Sequence, residues 1–424
     1  MSAGGSLNEG RLKGSTSRVA QYVGKLEAAG VTDGDLVLLA GLRSDSILAA
    51  SVACWSLGSA VWVSPRALSG RQDGRHTFIV TTELGVERSR CTGRRVDDSV
   101  AVVHETSGST GDSKLAQRSV HSVFDEYEGY AHGLSLAAHD HVRVPVPVAH
   151  SFGWGVALSA LLSGCHLDVR PFITPASVAV DLDSGRTNKA AMTPSLLRLL
   201  VETKRRGPEH PDLVLIGAGR VSHDLDSQCY RRFGVSAIRG YGSSETGGVF
   251  IGASEMGLPI SSVDIVSPEI GSRGELVIST KNPVLGYLEC APNESRTWRM
   301  NDIVDRPSAT EVRFVRRKSG PLRVNGRFVE LDDFQRTLAA LPGVTDVAFL
   351  TVPRVGRPDV EEVVAVVSGA GVRRESVADV VRSSAHRGLV LRLRVYESLP
   401  RTQLGKVDLH TLAKWVARDV SREI

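Results

Sequence analysis

Lys406 stands in the run Leu399-Pro-Arg-Thr-Gln-Leu-Gly-Lys406-Val-Asp408, on a glycine-containing loop between a strand-like and a helix-like segment. Taken alone it also reads as a solvated lysine after a glycine turn. Far upstream, Thr106-Ser107-Gly108-Ser109-Thr110-Gly111-Asp112-Ser113-Lys114 follows the apolar Val100-Ala101-Val102-Val103 with hydroxyls, glycines and a terminal cation. Glycines let backbone N–H groups approach phosphate oxygens, hydroxyls add donors, and Lys114 supplies charge. This is not a Walker loop, in which lysine directly follows the second glycine, because Asp112 and Ser113 intervene. By composition alone the stretch also fits a flexible Ser/Gly linker. A third loop, Tyr241-Gly242-Ser243-Ser244-Glu245-Thr246-Gly247, offers an aromatic face that covers a purine and a carboxylate suited to a hard cation bridging phosphates. Without its companions, it reads as a structural turn ending in an exposed glutamate.

The elements that must position these loops follow from periodicity. Leu36 to Leu39 reads as a buried strand, Asp45 to Leu57 as a packed helix, and Ala60 to Val63 as the next strand. Strand, helix, strand in that order is the mark of a parallel sheet with crossover helices. The pattern recurs at Val142 to Val148, at Trp154 to Leu162, at the helix Thr193 to Leu200 and at Leu213 to Ile216. From Gly274 onward helices thin out and turn residues increase, which predicts a smaller β-rich subdomain. Charge, glycine and proline coincide at Arg316-Arg317-Lys318-Ser319-Gly320-Pro321, a natural seam. Beyond it the order is helix from Leu331, strands Val347–Val352 and Val363–Val367, helix Ser376–Ala385, strand Val390–Val395 and a last helix from about Leu409.

Composition bounds the possibilities. A chain of 424 residues is too long for one ordinary core, so two or more domains are expected. The 42% hydrophobic and 23% charged content is that of a folded globular protein and leaves little room for long disorder. The 51 basic and 47 acidic side chains are interspersed, which argues against a nucleic-acid partner but permits a local basic patch for an anionic cofactor. Five widely separated cysteines, with no paired metal-ligand spacing, suit a reducing compartment. The opening residues lack a signal pattern and no apolar run reaches membrane-spanning length, so the expected location is the cytoplasm, without membrane attachment.

Together, and in this order, the loops resemble the adenylate-forming superfamily of acyl- and aryl-CoA synthetases, nonribosomal adenylation domains and luciferases. Thr106 to Lys114 is similar to its Thr-Ser-Gly-Ser-Thr-Gly-x-Pro-Lys-Gly loop, with Ser113 and Leu115 replacing the proline and last glycine. Tyr241-Gly242-Ser243-Ser244-Glu245 resembles its Tyr-Gly-x-Thr-Glu segment. That likeness implies that Tyr241 stacks on adenine, that Gly242 and Ser244 line the phosphates and that Glu245 holds Mg2+. Ile216-Gly217-Ala218-Gly219 resembles the strand end lining the adenine and acyl pockets, and Trp298-Arg-Met-Asn301-Asp302 the segment whose aspartate meets ribose hydroxyls. Arg317 takes the place of the ribose-binding arginine, although Arg316 stands where glycine is usual. Ser319 falls at the hinge, Gly326 borders the channel for the second substrate, and Lys406 matches the lysine that enters the site during adenylation.

The implied fold is α/β: a large N-terminal AMP-binding domain over 1–318, with parallel-rich subdomains and a small β-rich one, then a mobile α+β domain over 319–424. The spacing from Pro65 to Thr106 is short for this family, so the first subdomain is expected to be trimmed. The implied activity is ATP- and Mg2+-dependent adenylation of a carboxylic acid, followed by transfer to a thiol of CoA or of the phosphopantetheine on a carrier protein. His150 is similar to the residue gating the acyl pocket, and also fits an ordinary loop histidine. Trp154 beside it fills volume a long tail needs, which favours a small or aromatic acid. Two alternatives stay open: adenylation of an unusual substrate, as in an amide ligase or a nitrite-activating diazotase acting on an aromatic amine, and a non-catalytic nucleotide-binding protein.

Overall fold

The computed structural model describes all residues except 1–12, 66–75, 82–84, 90–95, 98, 107–113, 172–173, 204–206, 208, 318–321, 325–326, 330, 355–356, 384–390, 403–404, 406 and 422–424. The chain divides into two compact units, the larger ending at Arg316 and the smaller beginning at Arg317.

In the larger unit, Leu36–Ala40 pairs in parallel with Ala60–Ser64 across the helix Ser44–Ser56, the crossover that the apolar pattern predicts. Among the described residues this sheet runs, edge to edge, through Gly85–Arg88, Phe78–Thr81, Leu36–Ala40, Ala60–Ser64, Val100–Glu105 and Leu115–Ser119. The last two are antiparallel, and the Thr106 N–H donates to the Lys114 carbonyl at 2.8 Å. A second sheet runs through Leu258–Pro259, Gly247–Gly252, Ala237–Ser243, Leu213–Ile216, Lys189–Met192, His141–Arg143 and His166–Asp168. The expected strand from Val142 to Val148 stops at Arg143. Pro145 and Pro147 follow, and proline has no N–H to give a ladder.

The helix Ser151–Leu162 is buried from Gly153 to Ala160, apolar on every side, as befits a helix inside a core. Its Trp154 is fully buried and meets Trp55 edge-on at 5.6 Å between ring centroids. Residues of both sheets join one apolar cluster around it. The β-rich part arrives somewhat earlier than Gly274, as an antiparallel sheet of Val263–Ser267, Ser272–Thr280, Thr297–Ser308 and Glu311–Arg317.

Among the described residues four helices went unread at the sequence level: Lys13–Ala28, Val120–Gly133, Pro175–Asp183 and His223–Phe233. Lys13–Ala28 forms the first helix. Val19, Tyr22, Val23 and Leu26 are its helical-spacing signal, with Tyr22 and Leu26 buried.

The smaller unit pairs Asp346–Arg354 antiparallel with Arg357–Ser368, which in turn pairs in parallel with Leu391–Tyr396. Helices Asp332–Ala339, Arg374–Ser383 and Leu409–Ser421 accompany this sheet, so the expected alternation is present with ends shifted by a few residues. No helix among the described residues is long and apolar enough to cross a membrane.

Candidate active site

The Glu245 loop is a three-residue hairpin connection between Ala237–Ser243 and Gly247–Gly252, with Ser243 facing Gly247. Gly247 follows it at φ 71°, the left-handed residue that closes a turn of this length. Thr246 Oγ1 accepts from the Ser243 N–H at 3.2 Å, which fixes the turn from within.

Behind the hairpin lies a buried ion pair. Arg118 Nη1 donates to Glu126 Oε2 at 2.7 Å, with both side chains almost fully shielded from solvent. Arg118 Nη2 also donates to the Ser122 carbonyl at 2.9 Å, and Glu126 Oε1 accepts from the Gly248 N–H at 2.6 Å. The guanidinium lies where a Gly247 side chain would stand, 2.5 Å from an added Cβ, and the Tyr130 hydroxyl does the same at Gly248. The two glycines are therefore packing requirements as well as conformational ones.

The Lys114 and Glu245 loops singled out in the sequence meet at Tyr287. Its hydroxyl donates to Glu245 Oε1 at 2.7 Å, and the Lys114 ammonium sits over its ring, 4.8 Å from the centroid. Sequence reasoning missed Tyr287, since nothing local marks it; the Gly286-Tyr287 pair after a proline was the sole hint. Close by, Tyr241 donates from its hydroxyl to Asp302 Oδ2 at 2.6 Å, so the residues assigned to adenine and ribose are directly joined. Asn301, just before Asp302, has φ 57°, a left-handed conformation that asparagine takes more readily than most residues.

The first turn of the buried helix reaches the same region. Ser151 Oγ lies 3.5 Å from Ser244 Oγ, and the Phe152 ring lies against Gly217, 2.3 Å from where a Cβ would be. Ala218 has φ 59°, and Gly219 abuts Pro194. His150 is the N-cap residue of this helix, half-buried, and its side chain makes no cap bond. Thr106 and Gly242 are described at the ends of their strands, whereas Ser107, Gly108, Ser109, Thr110 and Gly111 lie outside the described residues.

For Arg317 the backbone is described, as the last residue of Glu311–Arg317, but not the side chain. Ser319, Gly326 and Lys406 also lie outside the described residues. Around Lys406, Gly405 has φ 75° and Arg401 bridges Val407, so the flanks of the lysine are pinned together.

His104, on the strand leading to Thr106, is buried edge-on against Trp154 at 5.2 Å. Burial first, then the electrostatic influence of nearby Arg118 and His150, pushes its pKa down to about 3 from 6.5. The folded protein therefore holds this imidazole neutral while the unfolded chain protonates below about pH 6.5, so acid costs stability between about 6.5 and about 3. His104→Phe is expected to lose less stability than the wild type as pH falls through this window. Thermal midpoints at pH 7 and pH 5 measure the difference, and parallel losses would contradict it.

The described residues fit the groups that the resemblance implies. Glu245 Oε1 is engaged by Tyr287, and no protein group among the described residues takes Oε2, which leaves a carboxylate oxygen for a hard cation. Magnesium is commonly held by one or two carboxylates together with substrate phosphates and water. Lys114 is exposed and offers its charge beside that carboxylate's partner.

Residues 81–288 match the family model described as AMP-binding enzyme. Triostin synthetase I of Streptomyces triostinicus is 26% identical over 353 residues, 75% of this chain and 66% of that protein. A probable 2-succinylbenzoate–CoA ligase of Mycobacterium tuberculosis is 26% identical over 356 residues, 78% of this chain and 88% of that protein. The fold is similar to ATP-bound MatB from Rhodopseudomonas palustris, with a TM-score of 0.72 at 18% identity, covering 96% of this chain and 93% of that one.

Proposed function

The chain belongs to the adenylate-forming superfamily of AMP-binding enzymes, and from that premise we propose that it activates a small or aromatic carboxylic acid with ATP and passes the acyl group to a thiol. The carboxylate oxygen attacks the α-phosphorus, pyrophosphate leaves, and a mixed anhydride with AMP results. A thiol of CoA or of carrier-bound phosphopantetheine then attacks the carbonyl, and AMP leaves. The observation that carries this reading is the meeting of Lys114, Tyr287 and Glu245, which joins a phosphate-facing cation to a metal-suited carboxylate from a distant part of the chain.

In this reading Thr106 to Lys114 grips the β- and γ-phosphates, and Gly242 and Ser244 approach the phosphates from the hairpin. Tyr241 covers the adenine, with Gly217, Ala218 and Gly219 beside it, while Asp302 and Arg317 take the ribose hydroxyls. Mg2+ held by Glu245 would neutralise charge on the departing pyrophosphate. Lys406, carried by the domain over 319–424 turning about Ser319, stabilises negative charge at the reacting oxygens, and its withdrawal admits the thiol.

His150 and Phe152 close the acid pocket. Phe152 over Gly217 supports an acid with a short or flat tail. The relative named as a probable 2-succinylbenzoate–CoA ligase supports the same class. The cytoplasm is the proposed location: Cys54, Cys165, Cys229 and Cys290 are free thiols, in keeping with a reducing compartment.

ATP–pyrophosphate exchange across a panel of aryl acids, short and long fatty acids, amino acids and nitrite tests the proposal. Exchange is expected with an aryl or short acid, and long-chain acids are expected to be poor. Exchange with nitrite alone would replace this reading by the diazotase alternative, and nucleotide binding without exchange for any acid would replace it by the non-catalytic one.

A further inference from the structure

Tyr287 is tied to both halves of the site by groups that its neighbours along the chain do not supply. Its backbone is stapled to the strand Leu115–Ser119: Tyr287 bridges Ala116, the Leu288 N–H donates to the Leu115 carbonyl at 2.8 Å, and the Gln117 N–H to the Gly286 carbonyl at 2.9 Å. The buried Gln117 side chain adds a bond to the Tyr287 carbonyl at 3.3 Å. That strand begins one residue after Lys114, so the tyrosine is fixed beside the lysine by main-chain bonds that no side-chain change removes. Trp298 packs edge-on against the phenol ring at 6.5 Å.

From this anchored position the side chain acts at two places. Its ring face lies under the Lys114 ammonium, and its hydroxyl reaches the second sheet's hairpin to donate to Glu245 Oε1. A hydrogen bond to an ionised carboxylate is among the stronger ones, and it fixes which oxygen is turned away. Only tyrosine offers both a π-face for a cation and a hydroxyl for a carboxylate. Phenylalanine keeps the first contact and loses the second.

We propose that Tyr287 is a positioning residue that orients Glu245 toward the metal and holds Lys114 in place for the phosphates. The assignment rests on the adenylation reading given above. It divides the work within one side chain: the hydroxyl governs metal affinity through Glu245, and the ring governs metal-free nucleotide affinity through Lys114. A residue serving the fold alone would move neither quantity selectively.

The test titrates Mn2+ into the full-length protein with α,β-methylene-ATP, following free Mn2+ by electron paramagnetic resonance, and measures nucleotide binding without metal by calorimetry. Tyr287→Phe is expected to weaken Mn2+ binding about tenfold, the low end for losing a partner of a metal ligand, while metal-free nucleotide binding stays unchanged. Tyr287→Leu is expected to weaken both, because the ring under Lys114 is gone. Wild-type Mn2+ affinity in Tyr287→Phe would overturn the assignment and leave the adenylation reading standing. Failure of the wild type itself to bind Mn2+ with the nucleotide would overturn both.

Discussion

Lys406→Ala is expected to slow acyl-adenylate formation by about a thousandfold, the scale of removing one preorganised charge from a developing anion, equivalent to ~4 kcal/mol of barrier. The loss should be selective. In the proposed cycle, Lys406 acts when the carboxylate and the α-phosphate share negative charge, and is withdrawn before the thiol arrives. A synthetic acyl-adenylate offered to Lys406→Ala with the thiol acceptor should therefore be consumed at close to the wild-type rate. Single-turnover measurement of the two half-reactions gives the comparison. Equal losses in both would remove the stepwise role of Lys406, and unchanged adenylation would remove its catalytic role. Arginine at this position would keep the charge with a planar, wider head, so it should recover only part of the rate.

The second large effect concerns the fold behind the hairpin. Glu126→Ala leaves the Arg118 guanidinium, whose side chain is 0% exposed, without its counter-charge and also strips the acceptor from the Gly248 N–H. Breaking a buried pair from one side costs roughly 3–5 kcal/mol, a large share of the ~5–15 kcal/mol by which domains are stable. Urea unfolding monitored by tryptophan fluorescence should show a strongly lowered midpoint. Removing both charges together, as Arg118→Met with Glu126→Leu, should recover much of the loss, because no buried ion is then left unpaired. If Glu126→Ala unfolds at the wild-type midpoint, the pair does not hold the hairpin. This contrast also separates stability from chemistry: the double variant should recover much of the stability while leaving Gly248 without its acceptor, so the Glu245 turn is expected to be looser than in the wild type.

What the sequence disclosed follows the range over which each interaction acts. The parallel crossover from Leu36 to Ser64 and the alternating elements after Leu331 were legible, because period and length are local properties. The strand expected through Val148 failed at Pro145, where a local apolar pattern conflicts with the missing proline donor. Glu245, Tyr241 and Lys114 were legible as types of residue in short loops. Their partners were not, because Tyr287 meets Lys114 and Glu245 only after two sheets have packed together, and Arg118 meets Glu126 and Gly248 only after a strand, a helix and a hairpin converge. Arg118 and Glu126 lie eight positions apart and off any single helix face, since Arg118 belongs to the preceding strand. Asn301 is a middle case: its placement before Asp302 was visible, and its left-handed backbone explains why asparagine serves there.

In the proposed reading the helix Ser151–Leu162 presents its opening turn to the acid, while Gly153 to Ala160 are buried in the core. Anyone redirecting this protein toward another acid therefore has a narrow set of dials. In that reading, diversity placed at His150, Ser151 and Phe152, none of them fully buried, alters what the pocket admits. From Gly153 onward the same helix is the keystone beneath both sheets, where Trp154 touches Trp55 and His104 and where Gly155 leaves room for Glu126. A library extended by a single helical turn would consist mostly of clones that never reach the assay.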